Sequence, residues 1–254
     1  MRVNWLKLST WLAVFTPALF TPGVAMATWS LGVGASYSPV VYKDTPSNKV
    51  VIPVIGYEGE HLYLRGFTAG YRVWERRSPH NLVFRLAYDP RTLQPSDSDD
   101  PIISQVDKRK STVLSGVSYQ YSNRAIGQIE VTLAGDILGV HNGLYAETVY
   151  RIPFRGPRWM LSPSVGYSWN SSKLNNHLYG VSQQEADRIA GLDAFAPDGD
   201  GQFFLGLSGL FKFSERIMGT AGVRYTNLEG DLEKSPLLDS TDSFNVNLGL
   251  VYTF

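Results

Sequence analysis

The segment that most limits what this chain can become is 243–254. Phe244, Val246, Leu248, Leu250, Tyr252 and Phe254 occupy one parity; Ser243, Asn245, Asn247, Gly249 and Thr253 occupy the other, with Val251 the one apolar exception. Alternation at 180° per residue is a strand with one apolar and one polar face. The apolar stripe begins and ends on phenylalanine. Ten residues at about 3.3 Å each, tilted by about 40°, rise about 25 Å, the height of the lipid-facing band of a membrane barrel. The segment therefore reads as the closing strand of a transmembrane antiparallel β-barrel, with Tyr252 and Phe254 as the aromatic signal read by the barrel-assembly machinery.

The start of the chain points to export. Arg2 and Lys7 precede an apolar run over 8–20, interrupted by Ser9, Thr10, Thr16 and Pro17, and Ala25-Met26-Ala27 is a small-x-small cleavage pattern. The expected products are a signal peptide, 1–27, cut after Ala27, and a barrel, 28–254. Without Arg2 and Lys7, the 23 basic and 23 acidic residues become 21 against 23, net −2. Nucleic acid would call for a basic excess. The absence of cysteine excludes disulfides, thiolate metal sites and a cysteine nucleophile. After residue 27 no apolar run is long enough for a transmembrane helix. The 24 Gly, 14 Tyr, 12 Phe and 6 Trp suit a β-rich, aromatic-girdled outer-membrane protein.

Period-2 patterns and turn residues place strands at 29–38, 49–57, 61–74, 81–89, 111–121, 127–136, 143–154, 159–170, 202–213, 217–228 and 243–254. Pro53 predicts a bulge or break in the second. Aromatic caps ten residues apart recur at Trp159/Trp169 and Phe203/Phe213. Eleven strands conflict with the even number of bacterial barrels. Splitting 61–74 near Gly66 gives twelve, the preferred count; an N-terminal segment outside the wall gives ten. Longer loops at 90–110, 137–142, 171–201 and 229–242 all fall at the extracellular end if the C-terminus is periplasmic, with short turns opposite. Ser182-Gln183-Gln184-Glu185 is a capping-box pattern and predicts a helix of about two turns over 182–190.

Little here suggests chemistry. His61, His80, His141 and His177 show no spacing of a Ser/His/acid constellation, and Asp97, Asp99 and Asp100 read as a solvated loop. Asp198 and Asp200 have oxygen-ligand spacing without the rest of a calcium loop, so they read as a turn. No catalytic, cofactor or metal residues are expected. Arg85, Glu130, Glu147, Arg151, Lys212 and Arg224 fall on the lumenal parity, either as selectivity charges of a pore or as a paired network filling a narrow barrel.

Several stretches together resemble the MipA/OmpV family of Gram-negative outer-membrane proteins: 53–59 (Pro-Val-Ile-Gly-Tyr-Glu-Gly), 64–66, 174–181 with Glu185-Ala186, 222–225 and 235–239. His177 and Leu178 stand where the family pattern has tyrosines. The resemblance implies a non-enzymatic barrel, described in one member as a scaffold joining a murein lytic transglycosylase to a bifunctional penicillin-binding protein. In others it implies a surface protein or adhesin. A small passive channel and loop-mediated recognition are the alternatives to the scaffold.

Overall fold

The computed structural model describes residues 27–254 apart from residues 40 and 229, so the expected leader up to residue 26, Ala25 included, lies outside the described residues. The strands are β1 (Thr28–Ser38), β2 (Asn48–Glu58), β3 (Leu62–Arg65), β4 (Thr68–Arg72), β5 (His80–Asp89), β6 (Thr112–Asn123), β7 (Gly127–Asp136), β8 (Leu144–Arg151), β9 (Phe154–Arg155), β10 (Trp159–Asn170), β11 (Asp200–Lys212), β12 (Ile217–Leu228) and β13 (Asp242–Thr253). Both β8 and β9 pair with β10, so they are one wall strand interrupted at Ile152 and Pro153. The segment 61–74 is two strands, turning at Gly66, whose φ of 57° suits glycine. The result is a closed antiparallel barrel of twelve wall strands.

Closure is made by the first and last strands. Leu31 lies opposite Tyr252, Val33 opposite Leu250 and Ala35 opposite Leu248, while the Phe254 N–H donates to Trp29 O at 3.1 Å. Leu248, Leu250 and Phe254 are 58%, 49% and 74% exposed, because their parity faces outward. In water such a surface would be an aggregation hazard; against acyl chains it is the matching solvent.

A cluster of buried apolar side chains packs among the connecting loops, joined by Leu228 at the end of β12. Val41 and Tyr42 from the β1–β2 loop, Leu93, Ile103 and Val106 from the β5–β6 loop, Leu174 to Leu192 from the β10–β11 loop, and Leu232, Leu237 and Leu238 from the β12–β13 loop form one cluster. Two helices frame it, α1 (Ser172–Tyr179) and α2 (Gln183–Arg188). The capping box is complete in α2: Ser182 Oγ accepts from the Glu185 N–H, and the Glu185 carboxylate accepts from the Ser182 N–H. That helix stops at Arg188 rather than reaching Ala190. Sequence reasoning overlooked α1, because the Asn-Asn-His run weakens its pattern; Leu174 and Leu178, four apart, bury its inner face in the cluster.

Pro53 neither bulges nor breaks its strand: β1 and β2 stay in one register from Thr28↔Glu58 to Ser38↔Asn48. The reason is an open edge. On its other side β2 pairs with β3 at Gly56↔Arg65, Tyr57↔Leu64 and Glu58↔Tyr63, leaving 48–54 without a strand partner there among the described residues. Residue parity turns Pro53 toward that edge, since the Ile55 carbonyl on the same parity accepts from Gly66. A missing N–H is harmless where no strand follows. Amide exchange in detergent micelles should therefore be fast at Lys49 and Val51 and slow at Val50 and Ile52, whose N–H groups face β1. Equal protection at all four would disprove the open edge.

Candidate functional site

Inward-facing parity and closure together fill the lumen with paired charges. Glu130 on β7 accepts from Arg85 on β5 and, at 3.1 Å, from Arg151 on β8. Around the ring, Glu147 accepts from Arg224 of β12 at 3.1 Å and from Tyr145 Oη at 2.7 Å, while the Arg224 guanidinium lies 3.5 Å from the Phe204 ring centroid. Higher up, Asp89 holds Arg91 through Nε at 2.8 Å, and Arg91 Nη1 reaches Asn170 Oδ1 at 3.4 Å. The arginines and carboxylates among them line a cavity of about 180 Å³ beneath the loops. Lys212 stands near the opposite end of β11 and joins none of these pairs.

A further group, not anticipated from the pattern, sits low in the wall. Arg65 grips Glu58 at 2.9 and 3.1 Å, Arg72 reaches the same carboxylate at 2.5 Å, and both guanidiniums flank the Tyr63 ring at 4.6 and 4.5 Å. Alternation through 62–72 is obscured by the hairpin at Gly66, so parity alone could not place these residues.

The loop cluster forms a lid over the outer mouth. Tyr42 Oη donates to Leu178 O at 2.9 Å and Ser235 Oγ to Tyr179 O at 2.7 Å, tying three loops together. Burial pushes both the Tyr42 and Tyr179 hydroxyls well above the ordinary tyrosine range. Glu185 is the lid's polar hub. Burial alone would raise its carboxyl, but the N–H groups of Asp107 (2.8 Å) and Ser182 (2.9 Å) and the Arg109 guanidinium (3.0 Å) outweigh that and hold it below the ordinary carboxylate range.

The lid also brings His141 and His177 together, with ring centroids 5.5 Å apart. Burial lowers both below the ordinary imidazole range. Asp136 is occupied by the Thr112 hydroxyl and by the N–H groups of Leu138, His141 and Asn142, and His141 Nδ1 accepts from the Gly143 N–H at 2.9 Å. These contacts shape the 137–143 turn. Asp200 likewise accepts from the N–H groups of Gly201 and Asp231, and the Asp198 carbonyl accepts from Asn175. Among the described residues no three His, Cys, Asp or Glu side chains converge as a metal site.

A closed ring with an apolar outer face, aromatic residues toward both of its ends, a charged lumen, short turns at one end and packed loops at the other defines an outer-membrane β-barrel. The chain belongs to the family of the MltA-interacting protein MipA, whose model matches residues 31–254. It is 32% identical to the MltA-interacting protein of Escherichia coli (strain K12), over 91% of this chain and 93% of that one. It is 27% identical to the outer membrane protein OmpV of Vibrio cholerae, over 89% and 86%. Among solved structures, an outer membrane channel from Pseudomonas putida F1 aligns with a TM-score of 0.42 at 10% identity, covering 92% of this chain and 97% of that one. Family and fold are those of outer-membrane barrel proteins.

Two outcomes follow. Glu130→Ala strands two guanidiniums in the lumen and should cost on the order of 3 kcal/mol in urea unfolding, whereas substituting exposed Glu215 should change little. Acid should loosen the lid. Glu185, His141 and His177 all have folded-state values below their ordinary 4.5 and 6.5, so their contribution is present above those values and is lost as pH falls through the depressed ones. Exchange of lid amides, corrected for intrinsic rates, should rise as pH drops from 7 to 4 and stay level from 7 to 9. Glu185→Gln should already be looser at pH 7 and respond less to acid below 4.5.

Proposed function

We propose that the protein is a closed outer-membrane platform that presents a basic rim to an acidic partner in the periplasm. We further propose that this partner is a peptidoglycan-remodelling assembly, a lytic transglycosylase with a bifunctional penicillin-binding protein. The observation that carries the reading is the distribution of charge between the two ends. Around the short-turn end lie Arg76, Arg77, Arg124, Arg155, Arg158, Lys212 and Arg216 against Glu60, Glu75 and Glu215, seven basic to three acidic, net +4. The described connecting segments at the other end hold twelve acidic and eight basic residues, net −4. The short-turn end faces the periplasm in barrels of this class.

A ring of arginines compensates for short turns. It steers and orients an acidic surface without a large protruding domain, and guanidinium forks suit carboxylates. The connection between β4 and β5 adds Trp74 beside Arg76 and Arg77, a pairing of residue types that anchors protein interfaces. A relative named for interaction with MltA supports the choice of partner. The packed lid and the paired lumen charges favour a platform over a passive channel.

The test is capture from solubilised envelopes on the immobilised refolded barrel, beside a variant with Arg76, Arg77, Arg155, Arg158 and Arg216 changed to Gln. Retention of a lytic transglycosylase and a penicillin-binding protein is expected at low salt, with at least tenfold loss on the variant or at 0.5 M salt. If the folded barrel retains neither enzyme, or if the variant retains both undiminished, the reading fails.

A further inference from the structure

The open edge of β2 borders a window in the wall. On the far side the β3–β4 hairpin follows β5 nearly to its outer end, at Thr68↔Ala87 and through the Tyr88 N–H on Phe67 O. Toward β2 the same hairpin stops at Gly66, leaving this edge of 48–54 without a strand partner among the described residues. Above, loops bridge: the Asp99 N–H donates to Asp44 O at 3.0 Å and Ser98 Oγ to Lys43 O at 2.9 Å. Nothing lies within 4 Å of where a Gly66 Cβ would stand. The gap is thus framed by β2, the hairpin tip and the loops.

The lumen behind the window differs from the rest. Inward positions of β7 include Gln128, Glu130 and Thr132, yet those of β2 over 50–55 are Val50, Ile52 and Val54, so that stretch of β2 is apolar on both faces. These three line a second cavity of about 180 Å³ with Leu64, Phe67 and Val251. One edge of that cavity is charged. Arg65 and Glu58 line it, and Glu58 is shared by two guanidiniums, Arg65 and Arg72, so the trio carries net +1. Apolar walls with one excess cation fit the chain and head of an anionic amphiphile.

A strand from another protein is a poorer occupant of this edge. Pro53 offers no N–H there, and Lys49 guards it, two devices that discourage strand addition. Val51, 72% exposed, and Ile55, 49% exposed, flank the opening on the lipid-facing side. We propose that the window admits the acyl chain of an anionic single-chain amphiphile, such as a long-chain fatty carboxylate, from the bilayer, with its head group at Arg65. The chain lies along Val50, Ile52 and Val54, and the carboxylate competes with Glu58 for the Arg65 fork. The lid covers the outer mouth, and the window gives this site a sideways route from the bilayer.

The experiment uses the barrel in phospholipid vesicles with cis-parinaric acid, a fluorescent fatty acid, and its methyl ester, the fold being checked by heat-modifiable gel migration. Saturable binding of the acid is expected, with the uncharged ester at least tenfold weaker. Arg65→Gln should bring the acid to the ester's level, and Val54→Trp should abolish binding of both. Should V54W fail to fold, Ile52→Phe fills the same slot and should weaken both at least fivefold. Partitioning that is the same with and without protein, or acid binding untouched by R65Q or by the slot-filling variant, would overturn the proposal.

Discussion

The structure rests on one requirement: inside a bilayer, backbone N–H and C=O groups have no water to turn to. A sheet meets it only by having no ends, so β13 must find β1, and the bonds between them are what make the remaining strands admissible in lipid. Every other feature is conditioned by that ring. Side chains on one parity must be soluble in hydrocarbon, those on the other must fill a narrow enclosed space, and the chain's connections accumulate at two ends with different tasks. The open upper half of β2 is a place among the described residues where the rule is relaxed, and it coincides with a proline and with an apolar lumenal face.

Enclosure also explains the chemistry of the lumen. A charge taken from water must be paired, and removing one partner is worse than never having placed either. Glu130 between Arg85 and Arg151, and Glu147 between Arg224 and Tyr145, are arrangements in which each carboxylate has two donors. Such cross-braces tie strands that are not neighbours in the sheet, β5 to β7 and β8 to β12. They stiffen the barrel and narrow its passage together.

The lid is built on different physics. Barrel side chains need no soluble-type core, since lipid covers their outer face; the loops face water and so must bury apolar surface in the ordinary way. Val41, Ile103, Leu174, Ile189, Leu232 and Leu237 do so, and the charged hub at Glu185 fixes how the loops meet. With the outer mouth shut by packing, the ways left to reach the protein are the basic rim at the short-turn end and the wall itself.

Much of this was present in the linear pattern. Alternation at 127–136, 159–170 and 217–228 sufficed to bound those strands, because a period of two is a local property of the backbone. It also placed Arg85, Glu130, Glu147, Arg151 and Arg224 on the inward parity. What alternation could not supply was partnership: Arg224 meets Glu147 across 77 positions of sequence only because the ring closes with a particular register. For the same reason Arg65 and Arg72 went unnoticed, the α1 helix was hidden in a loop, and Pro53 looked like a break when it marks an edge. The residues alone determined that this chain must alternate between lipid and lumen. Which groups share a carboxylate, where the loops pack and where the wall stays open were decided by closure, since distance along a strand is local and distance around a barrel is not.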